Sequence, residues 1–355
     1  MGDIKLTSAL HYFRWAFLTT VIGLALTGWL GWIYTGTLTG VMGFLFVGTV
    51  LSILEISLSF DNAIVNANKL KEMTPVWQHR FLTWGILIAV FGMRIIFPLL
   101  IVVFAAKIGP WQAIELAATE PAEYSRIIGE AHLSIAAFGG AFLMMVALKY
   151  FFDEGKDVHW IATIERSMSK FSSIQGLELA IVLAIILVFA SIMPAEVLAT
   201  FLYSAVAGLV TFMAVDVLGH LLDKSQEGLD VAVKGGLGAF LYLEVLDASF
   251  SFDGVIGAFA LTQNLFLIAI GLGIGAMYVR SMTIMLVERN TLAQFRYLEH
   301  GAFWSIFILS CVMFGQTLGH IPEVITGLLG AGFIGVALWS SIRWNRLHSG
   351  AAAEL

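Results

Sequence analysis

A single cysteine, Cys311, occurs among the 355 residues, and only 12% of the side chains are charged. The lone cysteine excludes an intramolecular disulfide and any cysteine metal cluster. Soluble domains carry about 25% charged residues, so a water-soluble fold is excluded by the shortage of charge. The net charge of −6 is modest, and no basic patch points to nucleic acid. No His-Glu-x-x-His stretch and no Walker loop is present. Neither is a Gly-x-Ser-x-Gly elbow. These absences argue against an intramembrane metalloprotease, an ATP-driven pump and a serine hydrolase. The chain therefore reads as a non-enzyme with no resident cofactor.

What is abundant is apolar surface: 59% of residues are hydrophobic and the mean hydropathy is +0.89. Only a bilayer accommodates that composition, as a bundle of helices whose backbone bonds are satisfied internally. A spanning helix needs roughly 20 apolar residues. Ten stretches qualify, at 13–34, 40–66, 81–106, 131–152, 173–193, 195–222, 236–261, 264–287, 298–318 and 322–343. The expected fold is an all-α, polytopic membrane bundle of about ten spans. The first run starts near Tyr12 and is too long for a signal-peptide core, so it reads as a retained helix.

Lys and Arg positions orient the bundle. With the N-terminus inside, fourteen basic residues fall on the cytoplasmic side and only Lys107 and Arg126 on the other. By the positive-inside rule both termini are cytoplasmic in a bacterial inner membrane. The outer loop 107–130 carries Glu115, Glu120, Glu123 and Glu130. It reads as solvated, with weak attraction of cations to the outer mouth as the functional alternative.

Two distant stretches match in register. One runs from Leu54 to Ile64, the other from Leu246 to Ile256, at a constant offset of 192 positions. Both follow acid-x-Ser-Leu/Phe-Ser-Phe-Asp-x-x-Ile. Five spans separate equivalent points, so the copies run in opposite directions. That is a 3+3 inverted repeat, an arrangement used by many secondary transporters. It divides the chain into an extra helix (1–37), a first repeat unit (38–152), a linker with two added helices (153–234), a second unit (235–318), and a last helix with its tail (319–355).

Six acids lie inside apolar stretches: Glu55, Asp61, Asp216, Glu244, Asp247 and Asp253. A carboxylate facing lipid costs roughly 2.5 to 3.5 kcal/mol on insertion scales. These residues must face the bundle interior, a cavity or one another. Polar residues alternate as Glu55, Ser57, Ser59, Asp61 and as Asp247, Ser249, Ser251, Asp253. Local unwinding would point each set one way; a continuous helix would aim two polar faces at two neighbours. Oxygen-only donors suit hard cations such as Mn²⁺, Mg²⁺ or Ca²⁺. Buried carboxylates also take protons, so metal and proton can compete. Arg94 and Arg280, each in the span after a motif, read as counter-ions for the acids, with gating as the alternative.

The motifs resemble those of the TerC family, bacterial membrane proteins named for tellurium resistance. Leu54-Glu55-x-x-Leu58-Ser59-x-Asp61-Asn62 follows the family pattern closely. Asp247-x-x-Phe250-x-x-Asp253 keeps its second half, with Gly254 and Ile256 as departures. Phe295-x-Tyr297-Leu298-x-x-Gly301 is also similar. The divergent copy and added helices look like TerC-like proteins of the DUF475 type. The resemblance implies manganese efflux and metal homeostasis, with Glu55, Asp61, Asn62, Asp247 and Asp253 as ligands. Glu244, three residues before Asp247, is placed to supply a further oxygen. The expected partners are a divalent metal ion and the bilayer, with a homo-oligomer left open. The alternative is a non-transporting scaffold in a metal or tellurite stress-response complex.

Overall fold

The computed structural model describes residues 6–348, apart from 72, 86–87, 154–155, 157, 172, 175, 226–235, 290–293, 320 and 322. All regular structure among the described residues is helical. In chain order the elements are α1 (Leu6–Thr35), α2 (Leu38–Leu58), α3 (Phe60–Lys71) and α4 (Pro75–Arg80), then the π-helical segments π1 (Phe81–Gly85) and π2 (Ile88–Ile96). There follow α5 (Phe97–Ala106), α6 (Pro110–Thr119), α7 (Pro121–Glu130), α8 (His132–Phe151) and α9 (Ala162–Ser169). The remainder comprises α10 (Leu177–Ile192), α11 (Ala195–Ser225), α12 (Leu237–Leu261), α13 (Leu265–Glu288), α14 (Leu298–Gln316) and α15 (Glu323–His348).

Local chemistry sets the main boundaries. Gly36, at φ +61°, turns the chain between α1 and α2, a conformation that glycine adopts without steric cost. Thr37 then caps α2, its Oγ accepting from the Gly40 N–H at 3.1 Å. Asn264 caps α13 in the same way, accepting from the Leu267 N–H at 3.0 Å.

Six helical segments among the described residues are long and apolar enough to cross a bilayer: 11–35, 38–57, 132–151, 195–218, 265–288 and 298–316. The chain is a multi-pass membrane protein. The other four stretches expected to span are helical among the described residues as well. α10 has 16 residues, and 81–106 is divided among π1, π2 and α5.

The spans differ in how far they are enclosed by protein. α8 and α14 have 72% and 67% of their most apolar windows buried, against 22% for α1 and α2. The first pair is therefore central and the second peripheral. α8 packs between α11 and α14, and α14 against α15. α13 lies against α1 and α2. Helices approach closely at small residues, as expected where lipid tails supply no hydrophobic drive. At Gly208 a Cβ would collide with the Phe138 carbonyl, so α11 sits directly on α8.

The acidic loop 107–130 is more ordered than a solvated loop. It forms α6 and α7, whose Ala113, Ala117, Tyr124, Ile127 and Ile128 join a core with Val255, Phe259 and Leu272. Glu115, Glu120 and Glu130 stay exposed. Arg126 bridges Glu123 and Glu130 along α7.

Candidate functional site

The first motif lies where one expected span divides. Ser59, at φ −98° and ψ 17°, separates α2 from α3. Its N–H still donates to the Glu55 carbonyl at 3.0 Å, and its own carbonyl accepts from Ala63 at 3.2 Å. The backbone breaks by one residue, and no four-residue stretch unwinds. The second motif lies on α12, continuous from Leu237 to Leu261. The backbone of neither motif is locally unwound over four residues. Ser57 is exposed and donates back to the Ile53 carbonyl at 2.8 Å. It stands apart from the other motif residues.

Glu55 and Arg94 form a buried ion pair between α2 and π2. Ser59 Oγ adds a hydrogen bond to Glu55 Oε1 at 3.0 Å. Glu55 is seated against Gly275 of α13, where no side chain fits. A Cβ on Gly254 of α12 would lie 3.3 Å from Glu55 Oε2, so this departure from the family pattern borders the ion pair.

The two motifs meet at Asp247. Asn66 Nδ2 donates to Asp247 Oδ1 at 2.8 Å across 181 positions of sequence. The Asn62 side chain hydrogen-bonds Asp247 as well, and the charges of Arg94 and Glu55 both reach it. α3 thus presents two amides, one helical turn apart, to a carboxylate of α12. Asn62 Oδ1 and Asn66 Oδ1 are buried without a donor among the described residues.

Asp61 is turned the other way. Its Oδ2 accepts from Ser305 of α14 at 2.8 Å, and its Oδ1 accepts from the Asn62 N–H at 2.8 Å. In the first turn of α3 its charge also suits the helix dipole. Glu244, one turn before Asp247, faces π1. A Cβ on Gly85 would lie 2.5 Å from its Oε1, and neither carboxylate oxygen has a hydrogen-bond partner among the described residues.

Arg280 does not pair like Arg94. Its Nε and Nη2 both donate to the backbone carbonyl of Leu82, at 3.0 and 2.7 Å, clamping π1 to α13. Asp216 pairs with Lys149 between α11 and α8, away from the motifs. The side chains of Ser249, Ser251 and Asp253 lie outside the described residues, although their backbones belong to α12. Among the described residues no group of three or more His, Cys, Asp or Glu side chains is placed to hold a metal ion. Asn62 and Asn66 turn their amide N–H groups, rather than their oxygens, to Asp247.

A second buried cluster joins α9 and the segment before it to the first turns of α14, and was not singled out by sequence. Glu165 of α9 accepts from Trp304 Nε1 at 2.9 Å, and from the backbone N–H groups of Trp160 and Ile161 at 3.0 and 3.2 Å. His300 Nδ1 lies 2.9 Å and His159 Nδ1 3.7 Å from Glu165 Oε2. Burial opposes the charge of Glu165, but His300, Trp304 and the Ile161 N–H outweigh it and hold the carboxyl at about 2. Consecutive turns of α14 thus reach different partners. Glu299 accepts from Asn68 of α3 at 3.0 Å, His300 and Trp304 hold Glu165, and Ser305 holds Asp61.

Residues 60–348 match the model of a family described as a protein of unknown function (DUF475). The chain belongs to the DUF475 family. No curated protein and no solved structure matches it. The DUF475 match begins one residue past the break at Ser59. It therefore includes Asp61, Asn62, Arg94, Glu244 and Asp247, while Glu55 precedes it.

Proposed function

We propose that this DUF475 chain is a secondary transporter that moves a divalent cation, foremost Mn²⁺, outward across a bacterial inner membrane. The observation that carries the reading is the meeting of the motifs. Asp247 of α12 is held by Asn66 and Asn62 of α3, whose amide oxygens are buried and lack donors among the described residues. With the two amides turned round, a pair of carbonyl oxygens would join an anionic one, which is chemistry for a hard cation. Enclosure of that group within a multi-pass bundle supports the reading, since a translocated ion would pause at such a place.

The preference for Mn²⁺ over Ca²⁺ and Mg²⁺, and the outward direction, rest on the resemblance to the TerC family. The ten-span count, the 3+3 inverted repeat and cytoplasmic termini belong to the same reading. They are supported by the in-register motifs and the bias of basic residues to alternate loops. Arg94 would neutralise Glu55 throughout the cycle, leaving Asp247 to exchange partners.

Mn²⁺ flux into proteoliposomes tests this directly. Wild type is expected to transport, and Asp247→Asn to lose at least about tenfold in rate while remaining monodisperse. An Asp247→Asn protein that transports at the wild-type rate would overturn the reading. A folded wild type that moves no divalent cation would favour the scaffold alternative.

A further inference from the structure

Two polar stripes run along α3, and they face different helices. Asp61 and Asn68 meet α14: Ser305 Oγ donates to Asp61 Oδ2 at 2.8 Å, and Asn68 Nδ2 donates to Glu299 Oε1 at 3.0 Å. Asn62 and Asn66 meet Asp247 of α12. At about 3.6 residues per turn, the members of each pair lie within about 40° of one another, and the two pairs lie about 130° apart. As numbering rises from Asp61 to Asn68 on α3, it falls from Ser305 to Glu299 on α14, so the two helices run antiparallel. Gly330 of α15 makes room for the first bond, since a Cβ there would lie 2.7 Å from Ser305 Oγ. Tyr150 of α8 backs the second through a hydrogen bond to Glu299.

Apolar packing constrains the rotation of such a helix weakly. The buried apolar residues of α3 are Ala63, Ile64, Val65, Ala67 and Leu70, and apolar contact is non-directional. Hydrogen bonds, by contrast, weaken steeply off their axis. A side-chain tip lies roughly 5–6 Å from the helix axis, so a rotation of about 30° moves it about 3 Å. That displacement breaks a bond to Asp247. Two bonds to α14, about two turns of α3 apart, resist rotation and tilt together.

We propose that Ser305 and Glu299 of α14 are positioning residues for the cation site: by gripping Asp61 and Asn68 they hold α3 at the rotation that turns Asn62 and Asn66 to Asp247. The inference rests on the transport reading above and adds to it two residues of α14 that touch no ion. Asp61 then serves as an anchor, in place of the ligand role that the family resemblance implies.

Titration of the purified full chain with Mn²⁺, read by electron paramagnetic resonance, tests the assignment. Ser305→Ala and Glu299→Ala are each expected to raise the Kd about three- to tenfold, the worth of one hydrogen bond. Glu299→Gln keeps an acceptor for Asn68 and should bind within about twofold of wild type. Ser310→Ala is the control, because Ser310 is equally buried on the same helix but donates to the Gly140 carbonyl of α8 at 2.8 Å. It should lower the melting temperature and leave the Kd unchanged. If Asp61 is instead a ligand for which Ser305 competes, Ser305→Ala should bind Mn²⁺ as tightly as wild type or more tightly, and the proposal is overturned. A Kd that rises as much in Ser310→Ala as in Ser305→Ala also overturns it, since α14 would then act only as general support. Should Ser305→Ala not be monodisperse, Glu299→Ala against Glu299→Gln decides alone, and equal Kd values reject the assignment. None of these results touches the transport reading. A wild type that neither binds nor moves Mn²⁺ defeats that reading, and this inference with it.

Discussion

At Glu165, three N–H donors and a histidine converge on one buried carboxylate. Its carboxyl lies at about 2, below the ordinary 4.5. The ionised form is thus the one the fold favours. Its stabilisation is fully present above about pH 4.5 and drains away as pH falls toward 2. Glu165→Gln should lower stability at neutral pH by about 2 kcal/mol, after allowance for screening. Melting temperatures of wild type and variant in detergent should converge as pH approaches 2. A constant gap across that window would mean that packing, rather than charge, sets the contribution. Little in the sequence marks Glu165, because it lies in a polar connector where an acid is unremarkable. The membrane acids were legible for the opposite reason: each is conspicuous in an apolar run. Asn66 was not, because the register match ends at Ile64 and Ile256 and gives it no counterpart.

Among elements, the contrast between the two motif copies matters most. One is divided at Ser59 and followed by π1 and π2; the other is a continuous α12 followed by a regular α13. Hydropathy reads both as the same kind of span, since a one-residue break or a wide helical turn leaves composition unchanged. π segments often mark functional sites in membrane and soluble helices alike. Here π2 carries Arg94 to Glu55, while Arg280 of α13 clamps π1 through Leu82. The two arginines look equivalent in sequence and do different work because only one faces a π-helical carbonyl. α2 and α13 touch where Glu55 meets Gly275, and a Cβ there would also come within 3.0 Å of the Ser52 carbonyl. Gly275→Ala should therefore push α2 outward, costing about 1–3 kcal/mol by overpacking. It should also impair Mn²⁺ flux by displacing Glu55 from Arg94. Unchanged melting temperature and flux would show that this contact is not restrictive.

Viewed as a whole, the molecule places its polar chemistry away from lipid. α8, α13 and α14 form the enclosed part, and α1, α2 and α11 carry most of their surface outward. Trp29, Phe46, Leu187 and Tyr203 are exposed on peripheral helices, as a lipid-facing surface requires. The all-helical membrane class followed from composition alone. The break at Ser59 and the division of 81–106 among π1, π2 and α5 depend on tertiary packing that hydropathy does not encode. The proposed cation site rests on a hydrogen bond between residues 181 positions apart, Asn66 and Asp247. Electron paramagnetic resonance of Mn²⁺ added to purified protein tests this most directly. The account predicts one bound Mn²⁺ per wild-type chain, with binding lost in both Asp247→Asn and Asn66→Ala while each protein remains folded. Mn²⁺ bound equally by wild type and both variants would contradict it.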